Sequence, residues 1–375
     1  MPFHFKFDNP PVGYSLEDAA KEDATIKIIS REFVSSEDGD IFISRLDGFP
    51  SEVLRKLPQN IDLKRSNVDH LLAIIDKDGN CSAYVNELQI IALTKVRRSL
   101  EKGETIFEND IYDILQVKFE DVEIPNDCGI AFVFSKGWRK GYFYDFTPLV
   151  PGNKPRSIDL HTLLGSYYNY LIFQDFFKIC DDDWAKFYME GWFPFISLDH
   201  DTALNLIKHI KYNWNTDELI QSITGEVKNK ANLLLNNWIL NPVFAEHEEF
   251  LKTAIDRYLN NDYISCLTIL YTRAEGILRA IVKNLNEKDY KQDNLANAAR
   301  KAFDDNRSFS KILPHRFSEY LQKVLFSSFD HNKIINLSRN SVSHGVAPNH
   351  LYNAKSATIA ILTIEQIYQH LQSYS

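Results

Sequence analysis

The 375-residue chain has no run of about 18 apolar residues, so nothing in it reads as a helix able to span a bilayer. Its first residues, MPFHFKFDNPPVGYSLEDAAKED, turn acidic quickly and lack a long apolar core, which argues against a signal peptide. Positive charge is in deficit. Asp and Glu number 51 against 42 Lys and Arg, giving a net charge of −9. A protein that coats nucleic acid through a broad basic face is therefore excluded, and any contact with nucleic acid must be local or brief. The four cysteines, Cys81, Cys128, Cys180 and Cys266, are far apart, and no pair has metal-ligand spacing. They read as reduced thiols in a cytoplasmic protein, not as a disulfide framework or a zinc site. There is no P-loop, no G-x-G-x-x-G and no nucleophile elbow with a Ser-His-Asp order. No internal repeat or low-complexity tract occurs.

What is present is apolar and aromatic material, 44% and 13% of the residues, enough for well-filled cores in two or three domains. The expected fold is α+β: a β-rich N-terminal domain over 1–157, a helical connector over 158–241, and an all-α bundle over 242–375. TIKIISREFV and DIFISRL read as strands around the turn SSEDG. HLLAIID and CSAYVNEL flank KDGN as a hairpin, and ELQIIALTKVRRSLEKG reads as a helix ending at Gly103. GIAFVFS and YFYDFTPL form a second hairpin around KGWRKG, and the Pro-rich PLVPGNKPRS marks a boundary. Beyond Ile158 the pattern is helical, with Asp201 as an N-cap and the acids of DDDW at a helix start. The last block offers four helical segments with apolar stripes, the third of them HNKIINLSRNSVSHG.

That third segment contains R-x-x-x-x-H at Arg339 and His344. The spacing alone decides nothing, because RSNVDH (Arg65, His70) and RSIDLH (Arg156, His161) repeat it. The bland account is a surface Arg and a satisfied His near a helix end. Three features separate RNSVSHG from the other two: its expected place late in an amphipathic helix, the polar Asn340 four residues before His344, and Gly345 as a helix stop. A His at a helix C-terminus also meets the negative end of the dipole, which favours its protonated form.

With these residues the last block, roughly 245–373, resembles the HEPN superfamily of four-helix bundles, whose mark is R-x(4–6)-H near the end of the third long helix. The second segment, YISCLTILYTRAEGILRAI, is similar to the family helix that carries an acidic residue among apolar ones; Glu275 takes that place, with Arg279 one turn on. The resemblance implies a metal-independent endoribonuclease without a cofactor, acting on RNA such as tRNA. It also implies a homodimer in which two motifs form one site, and a setting in anti-phage defence or a toxin–antitoxin pair released by a protein or nucleotide trigger. In that reading Arg339, Asn340 and His344 are catalytic and Glu275 and Arg279 support them. Two alternatives stand beside it: a non-catalytic dimerising or ligand-binding module, and the toxin half of a HEPN/nucleotidyltransferase pair.

Other candidates are weaker. Lys136, Trp138 and Arg139 at a hairpin tip could grip a nucleotide by stacking and charge, though an ordinary tip is the plainer account. DKDGN (Asp76 to Asn80) has its glycine in the wrong place for a calcium loop. KVRRS (Lys95 to Ser99) reads as a solvated basic face. No metal site is expected.

Overall fold

A computed structural model describes residues 1–16, 19–58, 68–303, 307–328 and 337–372. The chain divides into two compact units. The first is principally Met1–Thr94 with Ile114–Ile172; the second is principally Lys95–Asp113, Phe173–Asp305 and Phe309–Ser375. The stretch 158–241, expected as a connector, is divided between them: its first helix lies in the first unit and the rest in the second. The protein is mixed α+β, with an N-terminal sheet and C-terminal helices.

The strands, in chain order, are β1 (Phe3–Lys6), β2 (Tyr14–Ser15), β3 (Ile28–Ile29), β4 (Arg31–Ser35), β5 (His70–Ile75), β6 (Asn80–Val85), β7 (Ile90–Val96), β8 (Ile111–Phe119), β9 (Gly129–Lys136) and β10 (Arg139–Asp145). Six of them form one antiparallel sheet in the order β1-β6-β5-β9-β10-β4. Both expected hairpins are present. In the first, Asp76 Oδ1 accepts from the backbone of Asp78 and Asn80, and Gly79 has φ +84°, so DKDGN is a turn. Strand β9 is buried on both faces from Gly129 to Phe134, as befits the sheet interior.

Helices α1 (Asp40–Asp47) and α2 (Phe49–Arg55) cover one face, packing Phe42, Leu46, Phe49 and Val53 with Val133, Tyr142 and Tyr144. Helix α3 (Leu160–Ile172) serves the other, where Tyr167 stacks on Phe33 at 4.2 Å. A Cβ at Gly165 would stand 2.7 Å from the Gln116 Cα, so only glycine lets α3 approach β8 this closely.

Two expectations in this unit are corrected. DIFISRL is helix α1, not a strand: Phe42, Arg45 and Leu46 are buried at helical spacing while Ile41 and Ile43 are exposed. The IIALTKV part of the expected helix is strand β7, in keeping with its β-branched residues.

The second unit holds α4 (Gln174–Phe177), α5 (Asp181–Glu190), α6 (His200–Lys211), α7 (Ile220–Trp238), α8 (Pro242–Ala245), α9 (Glu248–Leu259), α10 (Tyr263–Asn284), α11 (Gln292–Lys301), α12 (Pro314–Tyr320), α13 (Arg339–Ser343) and α14 (Ala354–Leu371). The three acids of DDDW do open α5, whereas α6 is capped at Asp199, so Asp201 lies inside it. Helix α10 contacts α9, α11, α13 and α14, and α7 packs on α14 and α9. Residues 357–370 of α14 are buried on every side, so its polar groups need partners. Trp238 Nε1 donates to Glu365, Gln366 Nε2 donates to the Ile312 carbonyl, and Gln369 Oε1 accepts from Lys95 Nζ. Among the described residues no helix is long and apolar enough to cross a membrane.

Candidate active site

The motif residues sit on α13, and the helix differs from the expected one. Instead of closing a long amphipathic helix, RNSVS forms a five-residue helix of its own. Residues 331–336 of the expected helix lie outside the described residues. The cause is Ser338, whose hydroxyl accepts from the Ser341 backbone N–H while Ser341 Oγ accepts from the Ser338 N–H. This reciprocal cap starts a helix directly before Arg339. Gly345 ends it as expected, with φ +66°: its N–H reaches the Val342 carbonyl and the Val346 N–H reaches Ser341. Arg339 is thus the first helical residue and His344 the C-cap, about 140° apart around the axis at roughly 100° per residue.

Arg339 does not reach into solvent unaided. Its Nε is ion-paired with Glu275 Oε2 from the middle of α10. The other oxygen of Glu275 accepts from Arg279 Nε at 2.9 Å and is ion-paired with its Nη2 at 2.7 Å. One carboxylate, 11% exposed, therefore holds two guanidinium groups, and the cluster keeps a net positive charge. One turn before Glu275, the Tyr271 hydroxyl donates to the Leu337 carbonyl at 3.3 Å and fixes the approach to α13. Burial pushes the Tyr271 phenol well above its ordinary range, so it serves here as a neutral donor. A cleft of about 340 Å³ lined by Tyr271, Leu337, Val324, Asn353 and Lys355 lies at this point.

Asn340 is committed within the chain. Its Nδ2 donates to the carbonyls of Phe326 (3.1 Å) and Ser327 (3.2 Å). Its Oδ1 accepts from Gln292 Nε2 (2.9 Å) and Arg339 Nη1 (3.3 Å). The two carbonyls follow a π-helical turn at Leu321–Leu325, so Asn340 ties that turn and α11 to the motif. His344 is exposed, and its backbone N–H closes the helix on Asn340 O at 3.1 Å. Arg339, Asn340, Glu275 and Arg279 thus form one bonded cluster, and His344 stands at the far end of the same short helix.

Of the other repeats of the spacing, RSIDLH has a structural explanation. Arg156 Nε is paired at 2.7 Å with the fully buried Asp145, which also meets Arg31. His161 Nδ1 lies 3.0 Å from the Val117 carbonyl. His70 is on β5, and Arg65 lies outside the described residues.

Lys136, Trp138 and Arg139 belong to the first unit, and the motif to the second. Trp138 is 74% exposed at the hairpin tip. Arg139 is 5.4 Å from its ring but donates to the carbonyls of Leu171 and Ile172 at the end of α3, a fitting place for a cation. KVRRS is solvated in part: Val96, Arg98 and Ser99 are exposed, while Lys95 and Arg97 are half-buried. The Arg97 guanidinium donates to the carbonyls of Ile196 and Leu198, and Arg98 is paired with Asp110 and Glu104. Cys81 and Cys266 are buried, which pushes each thiol up to about 12; Cys128 is half-buried and Cys180 exposed. Among the described residues no group of three or more His, Cys, Asp or Glu could hold a metal ion.

Gln292 and Tyr271 were not legible as site residues, because their links to 340 and 337 span 48 and 66 positions. The cap at Ser338 was legible in SRNS. Comparison with protein-family models, curated proteins and solved structures returned no match.

Proposed function

We propose that residues 242–375 are a HEPN-type domain and that RNSVSHG is the centre of a metal-independent endoribonuclease site. The observation that supports this best is the Arg339–Glu275–Arg279 cluster. An Arg of the motif is held on a buried acid of the neighbouring long helix, where the resemblance places one, while His344 remains at the surface.

RNA supplies its own nucleophile, the 2′-hydroxyl. His344 takes the proton from that hydroxyl or gives one to the leaving 5′-oxygen. Arg339, aimed by Glu275, binds the scissile phosphate and stabilises the charge that builds on its equatorial oxygens. Asn340, with both ends of its amide engaged, positions the motif. Arg339 and His344 lie five positions apart and point about 140° from each other around the helix, so a two-fold pairing of chains would let the groups of two protomers share one phosphate. Defence or toxin action, with RNA such as tRNA as target, is the setting that fits this chemistry.

The same bonds favour a second reading. A Glu275 satisfied by two arginines and an Asn340 with four partners also describe a structural knot in a non-catalytic dimerising or ligand-binding module. The two are separated by incubating wild type and His344→Ala with total RNA and with tRNA in excess chelator. Fragments from wild type alone support the nuclease. No fragments from either favour the binding module.

A further inference from the structure

Tyr290 stands next to this cluster and has no part in the chemistry above. It is 39% exposed, and the Arg279 guanidinium carbon lies 5.6 Å from its ring centroid. The turn that carries it is tightly bonded. Asn294 Nδ2 donates to the Asp289 carbonyl at 2.7 Å and to Glu287 Oε2 at 2.8 Å. Lys301 Nζ holds both oxygens of Glu287 and Asn294 Oδ1. Two residues after Tyr290, Gln292 donates to Asn340. The turn that carries the ring is therefore tied to the motif through Gln292 and Asn340, and the ring itself lies beside Arg279 of the Arg339 cluster. An aromatic ring kept at the surface beside a guanidinium group, next to a net positive cluster, suits a base with its phosphate: the base stacks and the phosphate meets the charge.

We infer that Tyr290 and Arg279 form a stacking subsite for a nucleobase of single-stranded RNA, flanking the phosphate site at Arg339. This inference rests on the nuclease reading for its ligand. A purely structural Tyr290 would only shield Arg279, and binding measurements separate the two.

The experiment uses the full chain carrying His344→Ala, so that the probe is not consumed. Binding of a fluorescein-labelled 12-nucleotide oligoadenylate is followed by anisotropy, next to an all-abasic strand of the same length. Adding Tyr290→Ala should weaken oligoadenylate binding about fivefold or more, the lower range for loss of one base–aromatic stack. Tyr290→Phe should stay within about twofold, because the ring persists. On the abasic strand Tyr290→Ala should change nothing. Unfolding in urea should be the same for all variants, since the side chain is exposed. Oligoadenylate affinity unchanged by Tyr290→Ala, an equal loss on the abasic strand, or no binding of either probe would each overturn the inference. The parent reading fails separately. A wild-type chain that binds through Tyr290 but never cuts RNA refutes the nuclease alone; cutting that needs His344 while Tyr290→Ala binds normally refutes the subsite alone.

Discussion

Glu365 lies within α14 with its carboxyl fully buried. Trp238 Nε1 donates to one oxygen and Gln369 Nε2 to the other, each at 2.5 Å. Burial pushes its pKa up to about 7 from an ordinary 4.5, and the two hydrogen bonds with the cations at Lys95 and Lys230 offset only part of that. Between those values the folded protein keeps a proton that the unfolded chain releases. The contribution to stability is therefore full below pH 4.5, declines as pH rises to about 7, and is flat above it. A window this wide corresponds to about 3 kcal/mol.

Histidines act in the opposite sense over overlapping pH. Burial lowers His70, His247 and His200 below 6.5, His200 to about 4, so their contribution is lost as pH falls. The wild-type profile alone is thus uninformative, and Glu365→Gln isolates the effect. Glutamine does not titrate, and its NH₂ faces one of the two donors, which costs about 1–3 kcal/mol at every pH. The variant should be less stable than wild type at pH 5, and the gap should shift in the variant's favour by about 2–3 kcal/mol at pH 8. Urea unfolding followed by tryptophan fluorescence measures it, since Trp184, Trp192, Trp214 and Trp238 all lie in the second unit. A gap that is the same at both pH values would refute the reasoning.

The cluster itself predicts coupling. Glu275→Gln combined with Arg339→Lys in a double-mutant cycle should show a stability coupling of about 1 kcal/mol or more, whereas Glu275→Gln with Arg279→Lys should show less than about 0.5 kcal/mol, because Arg279 is more exposed. Asn340→Ala leaves the Phe326 and Ser327 carbonyls without their donor and should cost about 1–3 kcal/mol in denaturant unfolding; Asn340→Asp, which turns an oxygen toward them, should cost more. Gly345→Ala should cost about 1 kcal/mol from backbone strain alone, since a Cβ there meets nothing within 4 Å. A loss well above that in the same assay would mean the added methyl meets something.

The outline of the fold was legible because its signals are local. Short apolar and aromatic runs marked β5, β6, β9 and β10, and glycines marked their turns. The failures came where short apolar runs fit both periods. DIFISRL alternates like a strand, yet its buried residues are one helical turn apart, and IIALTKV erred in the reverse direction. At the candidate site, Arg339, His344 and Glu275 could be picked out by residue type and setting. The partnership of Glu275 with Arg339, and the hold of Gln292 on Asn340, arise from tertiary packing and leave no local mark. Ser338 did leave one, a Ser three residues before another Ser at a helix start, and it explains why the motif opens a helix instead of ending one.

The chemistry proposed above is cleavage through the RNA 2′-hydroxyl by His344 without metal. The most direct measurement maps the cut made by the wild-type chain in a short RNA in excess chelator, then repeats it with a single 2′-deoxy nucleotide immediately 5′ of that bond, with His344→Ala alongside. Wild type should cut the all-ribose strand and leave the deoxy strand intact at that bond, and His344→Ala should cut neither. Cutting of the deoxy strand at the same bond, or by His344→Ala, would contradict it.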